Sequence, residues 1–134
     1  MDSIFLDVVD VVPARDNSPL YRFLLVVALT VITEAVIMNL SRYNRFIKSL
    51  GHSVLVNGIS LALGFALIEW APGLFEVGNM RNLLVLFLIT LLAETPVLYL
   101  LNRIKPPGIT IRVSLLMNLL TYILFYFYII YFAR

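Results

Sequence analysis

The chain has no cysteine and one histidine, His52. Disulfides, thiol nucleophiles and cysteine-held metals are therefore excluded, and one chain cannot build a multi-histidine metal site. Charge is also scarce. Asp, Glu, Lys and Arg make up 13% of the residues, against about 25% in soluble domains. The formal net charge is only +2, and no basic run marks the chain as a binder of nucleic acid. The first residues, M-D-S-I-F-L-D-V-V-D, put acids where a signal peptide carries its basic region. Asp2 stands where myristoylation needs glycine, and there is no cysteine to carry another lipid. No nucleophile motif or metal-ligand set is present. No enzyme activity and no cofactor are expected, the remaining enzymatic option being a lipid-acting intramembrane enzyme with glutamate as acid or base.

Apolar residues are abundant, at 61% of the 134, where soluble domains hold about 45–50%. A single transmembrane domain over residues 1–134 is expected, with the bilayer as its solvent. Four apolar runs, at about 22–41, 53–70, 82–101 and 113–132, come close to the ~20 residues that cross a hydrocarbon core of ~30 Å. Their unbroken apolarity suits helices, which satisfy their own backbone in lipid, rather than the alternating strands of a barrel. The expected fold is an all-α integral membrane four-helix bundle. Ile4, Phe5, Val8, Val9 and Val12 would share one helical face ahead of the first span. Residues 3–12 are thus candidates for a short interfacial helix ended by Pro13, the alternative being a frayed tail.

Basic residues are distributed by side. Arg42, Arg45 and Lys48 lie around the first link, and Arg103, Lys105 and Arg112 around the third; Arg15, Arg22, Arg81 and Arg134 lie on the opposite side. The excess predicts cytoplasmic 1–2 and 3–4 links with both termini outside, in a bacterial inner membrane.

The chain also repeats itself. Shifted by sixty, Thr30, Glu34 and Leu40 fall on Thr90, Glu94 and Leu100; shifted by sixty-one, Ser53, Asn57 and Ser60 fall on Ser114, Asn118 and Thr121. The matched positions are the polar ones. A duplicated hairpin in one orientation, a parallel repeat, is expected. By helical rise, Glu34 and Glu94 lie roughly 3 Å to the link side of mid-membrane, and Asn57 and Asn118 roughly 6–7 Å to the same side. Ser60 and Thr121 come closer to the centre. These six residues are expected to form one inward-facing polar layer. An ionised acid in mid-span costs about 2.5–3.5 kcal/mol on insertion scales, so at least one of the two glutamates is expected to hold a proton. Pro96 joins the candidate site because it leaves the Leu92 carbonyl without its helical donor, as happens at membrane ion sites. Gly58, Ala62 and Ala66 are spaced for close helix packing. His52 is expected to be a polar residue at the membrane edge. The tyrosines and phenylalanines of the last span suit an interfacial belt, or more remotely a ring-binding surface.

Two roles compete. One is an accessory or structural subunit of a larger membrane complex, with the layer as polar glue. The other is a small transporter or channel handling a proton or cation through the paired glutamates. Four short helices shield one polar layer poorly, so partners besides the lipid bilayer are expected, either copies of this chain or other membrane subunits. The sequence carries no motif of a recognised family.

Overall fold

A computed structural model of the chain describes residues 18–75 and 80–132. The interfacial helix expected at 3–12 lies outside them. Four helices follow one another: α1 (Ser18–Leu40), α2 (Phe46–Trp70), α3 (Met80–Leu101) and α4 (Pro107–Phe132), with a short 3-10 turn at Pro72–Phe75. The helices hold 23, 25, 22 and 26 residues, so each is roughly 33–39 Å long. All four are long and apolar enough to cross a membrane. Large apolar side chains cover the outside, Leu92 being 74% exposed and Leu40 75%. A continuous surface of this kind suits lipid rather than water. The chain is a membrane-embedded helical bundle.

Each helix packs on its chain neighbours, α4 closes on α1, and neither diagonal pair makes contact among the described residues. The result is a ring running up, down, up, down. Both the 41–45 and the 102–106 links lie at one end, called the link end below; the Pro72–Phe75 turn lies at the other. α2 starts at Phe46 and α4 at Pro107, ahead of the apolar runs expected from 53 and 113. The helices continue through Lys48, Ser49, His52 and Arg112, because polar side chains at a membrane edge do not interrupt backbone pairing. Pro107 opens α4 with a fixed φ and no amide hydrogen to satisfy.

Packing is uneven along the bundle axis. Every buried residue described lies between the glutamates and the link end: Glu34 to Tyr43, Ser49 to Val56, Glu94 to Asn102 and Thr110 to Asn118. The apolar part of this core is Met38, Tyr43, Val56, Leu98, Val113 and Met117. Gly58, Ala62 and Ala66 are exposed, and a Cβ added at Gly58 would meet nothing within 4 Å. Within the chain, then, these small residues bring no helices together, contrary to their spacing. α2 turns them outward because Ser53, Val56 and Asn57 take its inner face.

The turn after α1 anchors the link end. Tyr43 N donates to Met38 O at 2.9 Å and Arg42 N to Asn39 O at 3.0 Å, the two bonds of a Schellman stop. Arg42 occupies the left-handed position with φ 53°, where glycine is the usual residue. The turn delivers Tyr43 into the core. Its hydroxyl reaches Leu98 O at 3.4 Å and Thr110 Oγ1 at 2.9 Å, so it caps the last turn of α3 and ties it to α4. Around it, Lys48 Nζ donates to Asn102 Oδ1 at 3.2 Å, and Asn102 Nδ2 to Asn44 Oδ1 at 3.0 Å. Asn44 Nδ2 donates to His52 Nδ1 at 3.2 Å. His52 is 8% exposed and belongs to this cluster.

Two substitutions test the anchor by unfolding in mixed detergent micelles. Arg42→Gly should stabilise by about 0.5–1 kcal/mol, because it relieves the left-handed backbone. Tyr43→Phe should destabilise by about 1–2 kcal/mol, because it orphans Thr110 and the α3 carbonyl.

Candidate functional site

Helical side chains lean toward the N-terminus of their own helix. α1 and α3 run toward the link end, so Glu34 and Glu94 lean away from it. α2 and α4 run the other way, so Asn57 and Asn118 lean toward it. Counted from the link ends of the helices, the asparagines stand farther out than the glutamates. This is the reverse of the depths expected from the apolar runs, because α2 and α4 begin ahead of those runs. The two sets therefore lean toward each other and converge. Glu34 is 1% exposed, Glu94 2% and Asn118 1%. Asn57, Ser60 and Thr121 are half-buried.

The hydrogen bonds are directed at the acids. Ser53 Oγ donates to Glu34 Oε2 at 2.7 Å, and Asn57 Nδ2 donates to the same oxygen at 2.5 Å. Asn118 Nδ2 donates to Glu94 Oε2 at 3.0 Å, and Ser60 Oγ donates to Glu94 Oε1. Each asparagine is also held on its own helix: Asn57 Nδ2 meets Ser53 O at 2.9 Å and Asn118 Nδ2 meets Ser114 O at 3.1 Å. This back-bond fixes the rotamer that presents the amide to the acid. α2 thus serves both glutamates, Glu34 through Asn57 and Glu94 through Ser60, one turn apart.

The layer is not symmetric. Ser60 serves Glu94, but Thr121, its counterpart in the sequence match, keeps a buried Oγ1 with no hydrogen-bond partner. Both donors to Glu34 use Oε2, and its Oε1 takes no hydrogen bond from the described residues. Ser114 bonds Thr95 Oγ1 at 2.8 Å instead of reaching Glu94. Thr95 Oγ1 donates to Leu91 O at 2.7 Å, so in that pair Ser114 is the donor. Among the described residues no cation pairs with either carboxyl, and none of them forms a cluster of three or more metal-binding groups.

A cavity of about 400 Å³ stands on this layer and fills the loosely packed half of the bundle. Glu34, Asn57, Ser60, Glu94, Asn118 and Thr121 form its floor. Its walls are apolar and partly aromatic, including Phe23, Phe65, Phe75 and Phe125. Tyr122 is fixed in the wall by Thr90 Oγ1 at 2.9 Å and by an edge-on contact with Phe87, ring centres 5.4 Å apart. The last span therefore fixes Tyr122 in the wall, Phe125 borders the cavity while 39% exposed, and Phe127 is 50% exposed.

The structure brings Glu34, Glu94, Asn57, Asn118, Ser60 and Thr121 together. Pro96 stands apart. It is exposed and lines no part of the cavity, and α3 continues through it without a break. Ser53, Ser114, Thr90 and Tyr122 take part without having been candidates. Ser53 and Ser114 open the repeated S-x3-N pattern, and Thr90 opens the T-x3-E pattern, so the repeat held that signal. Nothing in the sequence singled out Tyr122 among seven tyrosines.

The chain matches no family model, no curated protein and no solved structure.

The two asparagines should not be equivalent. Asn118→Ala strips Glu94 Oε2 of its only described donor, whereas Asn57→Ala leaves Ser53 on Glu34 Oε2. Both should destabilise in detergent unfolding, by about 1–3 kcal/mol, with Asn118→Ala the more severe.

Proposed function

We propose that this is a small membrane transporter in which Glu34 and Glu94 exchange a proton for a cation at the closed end of the cavity. The observation that carries this reading is the convergence of two buried carboxyls on one cavity floor, with no basic side chain among the described residues to neutralise them. Polar glue needs matched donors and acceptors. Here every described neighbour of the acids is a neutral hydroxyl or amide, and none brings a positive charge. Two carboxylates side by side inside a lipid-surrounded bundle demand positive charge, as protons or as a bound cation. The cavity gives such a cation a route that a sealed structural layer would lack.

The two hairpins act as parallel copies in this reading. Asn57 back-bonds to Ser53 and serves Glu34 just as Asn118 back-bonds to Ser114 and serves Glu94. The excess of basic residues at the link end favours cytoplasmic links, so the cavity would face the outer half of the membrane. A second reading, an accessory subunit of a larger membrane complex, draws support from the outward Gly58, Ala62 and Ala66 edge of α2, which suits another membrane helix.

Purified protein in liposomes should show a proton- or cation-dependent flux that Glu34→Gln and Glu94→Gln together abolish. Equal flux in the double variant would remove the transport reading. The native chain has no cysteine, which makes topology simple to test. Ile104→Cys, at a position 94% exposed on the second basic link, should react with a membrane-impermeant maleimide only after the cells are opened. Labelling of intact cells would reverse the orientation.

A further inference from the structure

We infer that the cavity takes a protonated amine carried on an apolar body, the ammonium seated against Glu34 and Glu94 and the body among the aromatic walls. The inference rests on the functional reading above and names its substrate class.

Three observations lead to it. The first is size and character. At about 400 Å³ the cavity falls among small-molecule sites, which span about 300–1,000 Å³ and combine apolar walls with a few convergent polar groups. A bare inorganic ion has no use for walls of Phe23, Phe65, Phe75 and Phe125, whereas an organic cation is held by them through apolar contact and ring faces. The second is charge. Among the described residues the titratable groups facing the cavity are Glu34 on α1, Glu94 on α3 and Tyr122 on α4, and α2 contributes none. The floor is therefore acidic, and it repels carboxylates and phosphates of the same size. The third is the inventory of acceptors. Glu34 Oε1 receives no hydrogen bond from the described residues, and Thr121 Oγ1 is buried without a partner. An ammonium brings donors and no acceptor, which is what these two oxygens lack. Thr121 lines the cavity, and a turn about χ1 between staggered rotamers brings its hydroxyl to an incoming N–H. Neutral alcohols satisfy the oxygens but leave the charge unanswered. Quaternary ammoniums answer the charge but bring no hydrogen to Thr121. Thr121 is accordingly a specificity-determining residue, separating amines with N–H groups from those without.

The test uses one ring body with four heads: benzylammonium, benzyltrimethylammonium, benzyl alcohol and benzoate. Calorimetric binding is measured on the full chain in zwitterionic lipid nanodiscs, with empty nanodiscs subtracted. Benzylammonium should bind saturably, and benzyl alcohol and benzoate should not. Glu34→Gln with Glu94→Gln should abolish binding. Thr121→Val should weaken benzylammonium about tenfold, the worth of one hydrogen bond to a charged donor, and leave benzyltrimethylammonium unchanged. Binding of benzyl alcohol or benzoate as tight as that of benzylammonium would overturn the inference, as would undiminished binding in the double variant. Should the double variant fail to fold, Thr121→Val decides: an unchanged ratio between the two ammoniums sinks the proposal. Glutamate-dependent flux of protons or alkali cations without benzylammonium binding would remove the substrate class and leave the functional reading in place. Absence of any glutamate-dependent flux would remove that reading itself.

Discussion

Two carboxyl groups inside a lipid-surrounded bundle are the constraint from which the rest of this structure follows. Lipid offers an acid no hydrogen-bond partner, so every donor must come from a neighbouring helix. Glu34 and Glu94 stand on diagonal helices that do not touch. The helices between them must therefore supply the donors, and α2 and α4 do so with an asparagine each and with Ser53 and Ser60 from α2. This requirement sets rotation and register together. Turning α2 by one residue would remove Asn57 from Glu34 and Ser60 from Glu94 at once. The ring of four helices is locked at the level where its chemistry lies.

The same constraint accounts for the uneven packing. Between apolar helices in lipid there is no hydrophobic drive to associate, because acyl chains are as apolar as leucine. Close approach needs hydrogen bonds or small side chains that let backbones meet. The link half has both. Ser49, Ser53, Ser114 and Ala35 are small and fully buried, and the Tyr43, Thr110, Asn44 and Asn102 bonds join the links. Beyond the glutamates toward the Pro72–Phe75 turn, the inner faces carry Leu, Ile and Phe, joined in the wall by Thr90 with Tyr122 and at the rim by Asn82 Nδ2 on Gly73 O at 2.7 Å. The cavity begins where the hydrogen bonds between inner faces thin out. The acids thus form both the last fastening of the tight half and the floor of the open one.

How far the sequence disclosed this depended on what each residue type can signal. A polar residue in an apolar span has to face inward, so depth alone located Glu34, Glu94, Asn57, Asn118 and Ser60, and the repeat reinforced them. Apolar residues carry no such signal when a helix is apolar all round. The Gly58, Ala62 and Ala66 spacing is correct for helix packing, yet the stripe faces away from the bundle because Asn57 had already claimed the inner side. Pro96 illustrates the reverse error. Its effect on the backbone is real, but a residue two positions from Glu94 lies about 200° around the helix and cannot share its face. The link cluster was legible only in part. His52 reads as an ordinary polar residue at a membrane edge, Asn44 and Asn102 carry no signal of their own, and only the Schellman turn at Arg42 explains why Tyr43 is inside.

The departures from symmetry carry as much meaning as the matches. If the hairpins are copies, Tyr43 and Ile104 occupy matching places, yet Tyr43 is 1% exposed and Ile104 is 94% exposed. Thr110 gains a bond to Tyr43, and Ser49 in the matching position has no partner. Likewise Ser60 serves Glu94 while Thr121 serves nothing. Both differences run the same way between the hairpins: Tyr43 and Ser60 of the first reach Thr110 and Glu94 of the second, and the matching bonds from the second hairpin back to Ser49 and Glu34 are not made. A layer built only to fasten helices gains nothing from leaving the Thr121 bond unmade. A layer that must accept and release a donor needs at least one acceptor held in place but unserved. Glu34 Oε1 meets that description, and Thr121 on the adjoining α4 keeps an unpartnered hydroxyl, so the asymmetry supports the proposed binding site more than the buried acids alone do.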